Sequence, residues 1–508
     1  MSARCSEDAA EQDLWAWFAD QARPVLARCC PTDQLALLER DWSELDARRT
    51  RALRGLQVGF LGNAGVGKST LLNTLVADQV TLLPQGGVGP LTAQATLVRR
   101  SEEPFFRVTY HGRVRVLQLL WGLERHRPDV GVAPDITLEA GAIAEAERMI
   151  ADDQRRGSFP DGWLRQAAHL VTGRQYGEDG PDYLLDGLRA AVRLAPRWGT
   201  RLRPADEQRL SRVRAVLELA AAGSSAERWG SSGDLREFLS ELELHAAGFL
   251  SPLVRTLQVG WEAGSLPPGL VFVDLPGLGV ANDESRRVTE EWLKHLDAVV
   301  LVVDRAGLSE SSAVWLRSSR FLERLVDETS AHLVVVPVKL DLTADDGRRT
   351  ERQLGPGPFR PWKEHYLEAT RRARELVLGQ LREEWKEQRG DPDAWTRASS
   401  RVVIEPACAR EYLSILQADP DQPARLKDLA DTGIPVLRQA LAELARTHSG
   451  RLESERIAAE AALRDRVKHW LESPAASTGR QRYELLRLRE SLEAQEKSRR
   501  RSRRGRSA

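Results

Sequence analysis

Lysine is scarce in this chain: eight residues among 74 basic ones, the rest being arginine. Cysteine is scarcer, with four residues, and methionine scarcer still, with two. Cys5, Cys29, Cys30 and Cys408 have neither zinc-site spacing nor that of a disulfide framework. That excludes a small stapled secreted fold and fits a reducing cytoplasm. No apolar run reaches the roughly 18 residues of a membrane-crossing helix, and the acidic start, Met1 to Asp13, does not resemble a signal peptide. An excess of one charge is lacking too. Lys+Arg and Asp+Glu both number 74, so net charge selects no partner. The nine histidines show no metal-ligand spacing, and no nucleophile triad is found.

What is present is a soluble composition, 42% hydrophobic and 29% charged, over 508 residues, enough for about three domains. Residues 1–50 read as N-terminal helices. Leu14, Trp17, Phe18 and Ala22 form one stripe, and Leu35, Leu38, Trp42 and Leu45 a second. Between them, Pro31 stops one helix and Thr32 or Asp33 can cap the next. From Leu56 the texture changes to short β-branched runs: LQVGFLG, ATLVRR, LVFVD, AVVLVVD, HLVVVPV and RVVIEP. FFRVTYHGRVRVLQL reads as a hairpin turning at His111-Gly112. Continuous apolar strands between amphipathic helices predict an α/β fold, a doubly wound, mainly parallel sheet covered on both faces. It spans residues 51–450 and is interrupted at 120–255 by a helical insertion with Gly- and Ser-rich joints such as GEDG and AAGSSAERWGSSG. After Gly450, a helix carries Leu463, Val467, Trp470 and Leu471 on one face; a second, 481–497, carries Leu485, Leu488 and Leu492. Residues 451–508 thus form C-terminal helices and a basic tail.

One of the eight lysines is Lys68, inside GNAGVGKS (Gly62 to Ser69). The stretch fits G-x-x-x-x-G-K-[ST], with an apolar strand before it and a helix-forming STLLNTL after it. Glycines let successive N–H groups of Gly62, Asn63, Ala64, Gly65, Val66, Gly67, Lys68, Ser69 and Thr70 turn toward phosphate oxygens, and the helix N-terminus adds partial positive charge. Lys68 bridges β- and γ-phosphates as a compact point charge, and Ser69 offers its hydroxyl to Mg²⁺. The plain alternative is a Gly-rich helix entry that binds nothing.

Downstream, VFVDLPGLG puts Asp274 at the end of an apolar strand. A carboxylate there holds Mg²⁺ through water, and the Gly277 N–H follows the γ-phosphate; otherwise the segment merely ends a strand. VVVPVKLDL supplies a K-x-D element. Asp341 accepts two hydrogen bonds from guanine N1 and its exocyclic amine, a pair adenine cannot supply, and the Lys339 stem lies along the base. That selects GTP. Val338 stands where a polar residue usually braces the phosphate loop, and an ordinary polar strand exit is the bland reading.

With these residues placed, the chain resembles the dynamin-superfamily large GTPases of bacteria. The resemblance rests on the P-loop, DLPG and KLD together with LLPQGGVGPLTAQATLVRR (82–100), LDAVVLVVDRA and TGIPVLRQAL. It covers roughly 51–118 and 262–445. It implies that Thr92 is the switch threonine, meeting Mg²⁺ and positioning the attacking water, the plain alternative being a solvated Gly/Pro loop in which Thr92 or Thr96 simply packs; Pro406-Ala407-Cys408-Ala409 is a candidate for the last nucleotide loop. There are two further departures from the pattern: Gly65 replaces a common Ser, and Leu278-Gly279 after DLPG provides no glutamine to orient water. Family members without that glutamine complete the site by pairing GTPase domains, which implies homodimers or oligomers and hydrolysis that rises with protein concentration.

Three roles compete for the resulting mechanochemical switch. The first is membrane remodelling by self-assembly, with a neck-like element from the terminal helices, which are short for a full stalk and point to a short form, an incomplete chain or a partner GTPase that carries the rest. The second is signalling or defence through a protein partner, without membrane contact. The third is a P-loop ATPase or nucleic-acid role. The tail prompts the third: Lys497 to Arg506 hold seven basic residues and no acid, leaving 0 − 7 = −7 on the rest. A tail of that kind suits peripheral contact with anionic membranes, or phosphate backbones, although nucleic acid is the less favoured partner and a solvated disordered end is the plainest reading. The expected location is cytoplasmic, with or without peripheral membrane contact.

Overall fold

The computed structural model describes residues 14–78, 80–83, 95–127, 136–174, 176–230, 234–262, 266–276, 283–327, 331–355, 357–388, 391–418, 420–421, 423–473 and 482–505. The chain divides into two compact units: Met1–Gly55 with Arg446–Ala508, and Leu56–Ala445.

The larger unit is built on a nine-stranded mixed sheet. Its strands are β1 (Leu56–Gly62), β2 (Thr96–Arg100), β3 (Phe105–Tyr110), β4 (Ala226–Trp229), β5 (Val254–Trp261), β6 (Leu270–Asp274), β7 (Ala298–Val303), β8 (His332–Pro337) and β9 (Val402–Ile404). The spatial order is β4-β3-β5-β2-β6-β1-β7-β8-β9. From β6 to β9 every neighbour is parallel, so Asp274, Gly62, Val303, Pro337 and Ile404 all end on one edge. β2 and β5 pair in parallel, whereas β2–β6, β3–β5 and β3–β4 are antiparallel.

Both faces of this sheet are buried, and the strands show it residue by residue. Val58, Phe60, Phe272, Val300, Val302, Val334 and Val336 enter one core; Leu61, Val273, Val299, Leu301, Leu333 and Val335 enter the other. Alternate side chains of a strand point to opposite faces, so a continuous apolar run is what a doubly covered strand requires. Phe60 meets Phe272 edge to face across β1 and β6, centroids 5.0 Å apart. Burying side chains of that size contributes about 1.5–3 kcal/mol each.

The expected hairpin is a strand followed by a helix. After β3, Arg113–Arg125 is α-helical. RVRVLQLL alternates like a strand over four residues, but Val116, Leu119, Leu120 and Leu123 are buried at helical spacing and the longer period wins. The segment 120–255 is mostly helical, with Ala140–Arg155, Asp161–Thr172, Pro181–Ala191, Pro204–Ala221 and Leu235–Ala246. The AERW within its supposed Gly/Ser joint is β4, paired to β3.

The smaller unit gathers all four apolar stripes into one core. Leu14, Trp17, Phe18, Leu26, Leu38, Leu45, Leu463, Val467, Trp470, Leu485, Leu488 and Leu492 are buried together. Trp17 donates its indole N–H to Ser491 at 3.0 Å. Helix Thr32–Arg54 is entered from Pro31 with no side-chain cap, so Thr32 and Asp33 lie inside the first turn. Gly450 is no break: Ile434–Leu471 is one helix. Residues 497–505 of the basic segment continue helix Arg482–Gly505, where a disordered end is the plainest reading of the sequence, as suits a run of arginines with high helix propensity. No helix among the described residues is long and apolar enough to cross a membrane.

Candidate functional site

At the carboxyl end of β1 the chain makes the tight loop that the sequence predicts. Gly65 (φ 71°) and Gly67 (φ 111°) both take left-handed conformations, which L side chains adopt at a cost. Val66 turns inward and is buried, and its N–H bonds Asn63 O at 3.3 Å. Helix Lys68–Ala77 then starts without a side-chain cap, so its first N–H groups face the loop. A helix entry of this kind attracts anions.

Two lysines reach this loop. The Lys68 ammonium, its side chain only 10% exposed, bonds Leu275 O and lies 3.4 Å from Asp274 Oδ1. Lys339, in a left-handed conformation just after β8, donates to Gly65 O at 2.8 Å. The brace expected from position 338 therefore comes from its neighbour, while Val338 is buried and its N–H donates to Val303 O.

Asp274 ends β6 in register with Phe60 of β1 and Thr96 of β2. Its Oδ1 is buried with no hydrogen-bond partner, and a salt-bridge separation of 3.4 Å to Lys68 does not supply one. Among the described residues this buried oxygen has an ion pair with Lys68 but no hydrogen bond, and a buried carboxylate is costly until its hydrogen bonds are met. Ser69 sits one residue after Lys68 in the same helix entry. This donor set fits a magnesium ion bound through water.

The base-side residues converge from β8 and β9. Asp341 lies in the first turn of helix Leu340–Gln353, with its side chain 8% exposed. Ala407 N–H bonds Pro337 O at 3.0 Å, which seats 406–409 beside 337–341. Cys408 donates its N–H to Thr432 O at 2.8 Å. Burial first, then the Asp341 charge, pushes its thiol up to about 12, so it is no thiolate nucleophile at neutral pH.

The structure thus brings together residues 62–70, Asp274, Lys339, Asp341 and 406–409. Thr92 and Gly277 lie outside the described residues, as do Leu278 and Gly279. Sequence reasoning missed three contributors. Asn73, buried in the helix after the loop, exchanges two 2.7 Å hydrogen bonds with the backbone of Leu83 and so pins the chain just before residue 84. Its polar amide on an apolar helix was the available signal. Arg410 faces Asp341 at 3.6 Å, and Arg438 ties Asp78 to Tyr412; nothing in local spacing singles out either arginine.

No protein-family model matches the chain, and no curated protein matches it. Among solved structures, the chain is similar to two of an oligomerised bacterial dynamin pair, described as providing a mechanism for the long-range sensing and tethering of membranes. Each is 13% identical, over 87% and 89% of this chain, with TM-scores of 0.40 and 0.39. The chain spans 49% and 56% of those neighbours' lengths, about half. At that distance, function has to be read from this chain's own residues.

Proposed function

We propose that the chain is a GTP-binding and GTP-hydrolysing dynamin-like protein, a switch whose hydrolysis is completed when two GTPase domains pair. One observation carries the reading. On a single edge of the parallel strands stand the glycine loop of residues 62–67, the buried Lys68 with the Asp274 carboxylate beside it, and Asp341 next to the Lys339 that bonds the loop.

In this reading the N–H groups of residues 62–69 hold the triphosphate, and Lys68 leaves Leu275 O to bridge the β- and γ-phosphates. Ser69, Thr92 and Asp274 would hold Mg²⁺, which neutralises charge on the phosphates. Asp341 accepts guanine N1–H and its amine, while Lys339 keeps the phosphate loop and base site in register. Thr92 stands four residues before Thr96, which pairs with Asp274. It and the Gly277 N–H orient the attacking water and sense the γ-phosphate. Water attacks in line, the β–γ bridging bond breaks, and GDP and phosphate leave. Loss of the γ-phosphate then releases the loops around Thr92 and Gly277.

Residues 51–450 act as the GTPase domain, 120–255 as its helical insertion, and 1–50 with 451–508 as a neck-like element. The protein works in the cytoplasm, with the basic tail touching anionic membranes peripherally.

The test is nucleotide retention and turnover by the full chain across a dilution series, with Lys68→Ala beside it. Guanine nucleotide should bind, Lys68→Ala should weaken it at least about tenfold, and turnover per molecule should rise with protein concentration. No retention of GDP or GTP at millimolar ligand, or retention untouched by Lys68→Ala, would overturn the reading. Equal competition by ATP would assign a P-loop ATPase instead. Flotation on anionic against neutral liposomes, with and without residues 497–508, tests the membrane contact.

A further inference from the structure

Asp341 already has a partner of a telling shape. Arg410, in helix Ala409–Gln417 directly after the 406–409 loop, places Nη1 3.6 Å from Asp341 Oδ2. The two differ sharply in freedom: the arginine side chain is 59% exposed and the aspartate 8%. Arg425, nearby, is committed elsewhere. It pairs with Asp345, whose carboxylate also accepts the Trp362 indole N–H at 2.9 Å, and its guanidinium lies over the Trp362 ring. Glu411, next to Arg410, is occupied by the backbone N–H groups of Arg425 and Leu426. Arg410 is therefore an exposed cation that faces Asp341 and holds no other ion pair among the described residues.

Guanine presents to a carboxylate an N–H and an amine attached to one carbon. A guanidinium presents the same fork of two donors on one carbon. Adenine has no such fork. From this we infer that Arg410 is an internal mimic of the guanine edge, competing with the base for Asp341 and so setting guanine affinity and release. The inference rests on the GTP-binding reading above. A carboxylate with its side chain only 8% exposed has room for one fork at a time. When guanine enters, the Arg410 side chain moves to solvent, at little cost given its exposure.

The sign of the effect is what makes the idea testable. Removing a cation near a polyanionic ligand ordinarily weakens binding; removing a competitor strengthens it. The experiment measures equilibrium binding and release of a fluorescent GDP and a fluorescent ADP by the full chain. It compares wild type, Arg410→Ala and Arg410→Lys at about 0.05 M and about 0.5 M salt. Arg410→Ala is expected to bind GDP about threefold more tightly at low salt, within the range of an exposed ion pair, chiefly through slower release. The gain should shrink at high salt, because ions screen the competing pair. ADP affinity should not rise. Arg410→Lys keeps the charge but loses the fork and should fall between wild type and Arg410→Ala. Melting curves establish that the variants are folded.

Unchanged or weaker GDP binding by folded Arg410→Ala overturns the inference while leaving the GTP-binding reading intact. Equal tightening of GDP and ADP overturns it too, since the effect would then be independent of the base. If wild type retains no guanine nucleotide, the parent reading fails and this inference falls with it.

Discussion

The ammonium of Lys339 lies 2.8 Å from the carbonyl oxygen of Gly65, joining residues 274 positions apart in the chain. One is on the base side of the candidate site and the other at the crest of the phosphate loop. Asp341, two residues on, lies in the first turn of the next helix, so the bond fixes how far the base acid stands from the phosphate cradle.

Lys339→Ala should therefore loosen both ends of the nucleotide at once. A charge-assisted hydrogen bond at a partly exposed site contributes about 1–2 kcal/mol, which is roughly five- to thirtyfold in GDP affinity. Titration with a fluorescent GDP measures it, and unfolding midpoints should barely change. Lys339→Arg should not restore the affinity fully, because a planar guanidinium does not fit a point contact with one carbonyl oxygen. Full affinity in both variants would show the bond to be incidental.

Gly433 and Gly65 make a contrasting pair. Both have positive φ, 77° and 71°. A Cβ at Gly433 would land on the Pro406 carbonyl oxygen, within the loop that carries Cys408, whereas one at Gly65 meets nothing within 4 Å. Gly433→Ala should cost about 2–4 kcal/mol, strain plus steric overlap, and Gly65→Ala about 1 kcal/mol, strain alone. Urea denaturation of the two variants compares them. Equal losses would mean the 406–409 loop yields freely.

These positions show how legibility varied along the chain. The phosphate loop and the strands β1, β6, β7 and β8 were readable because each is a local pattern: a glycine spacing, or an unbroken apolar run that serves two cores. β5 was missed because its TLQVGW mixes polar and apolar residues, and β4 because AERW has no strand pattern of its own; both are held by pairing with β3. RVRVLQLL was misread because four alternating residues outweighed a helical period that only tertiary burial made decisive. Arg410 and Arg438 were invisible for a different reason. Their partners, Asp341 and Asp78, are distant in sequence, and in a chain with 66 arginines (74 − 8) the residue type carries no signal.

Acid should unfold the larger unit partly through His245. This imidazole is buried beside Tyr110, 3.3 Å from its hydroxyl, and against the Phe106 ring. Burial pushes it down to about 4, with Glu241 opposing and Arg212 adding slightly. The folded value lies below the unfolded one, near 6.5. Between the two the unfolded chain binds more protons, so stability is complete above pH 6.5 and drains as pH falls toward 4. The full loss is about 3 kcal/mol. Asp186 and Asp206 sit low against the upward pull of burial, Asp186 through hydrogen bonds from Thr200 and the backbone of Arg197 and Trp198, Asp206 through Tyr183, Arg203 and Arg209, and lose their contribution as pH falls from the usual Asp range downward. His245→Gln should flatten the pH 6.5–4 limb of the unfolding midpoint and leave the more acidic limb in place. An unaltered limb would put the proton uptake elsewhere.

Arg438 supplies the last test, because it joins three elements within the larger unit. Nη1 donates to the Tyr412 hydroxyl at 2.8 Å; Nη2 donates to Thr74 O and Asp78 Oδ1, and Tyr412 itself donates to Asp78 Oδ1 at 3.0 Å. Thr74 and Asp78 close the helix that begins at Lys68, and Tyr412 belongs to the helix after the 406–409 loop. The guanidinium is mostly buried while Asp78 is half exposed, its side chain 45% accessible, so Arg438→Ala should cost about 1–2 kcal/mol rather than the several of a fully buried pair. Asp78→Ala should cost less, and the double variant less than the sum, with a coupling of about 1 kcal/mol. Because the network closes both the phosphate-loop helix and the base-loop helix, Arg438→Ala should also weaken GDP, whereas Tyr412→Phe, which keeps the Arg438–Asp78 pair, should not. Additive losses, or GDP binding indifferent to Arg438→Ala, would show three neighbouring contacts and no linkage between the two loops.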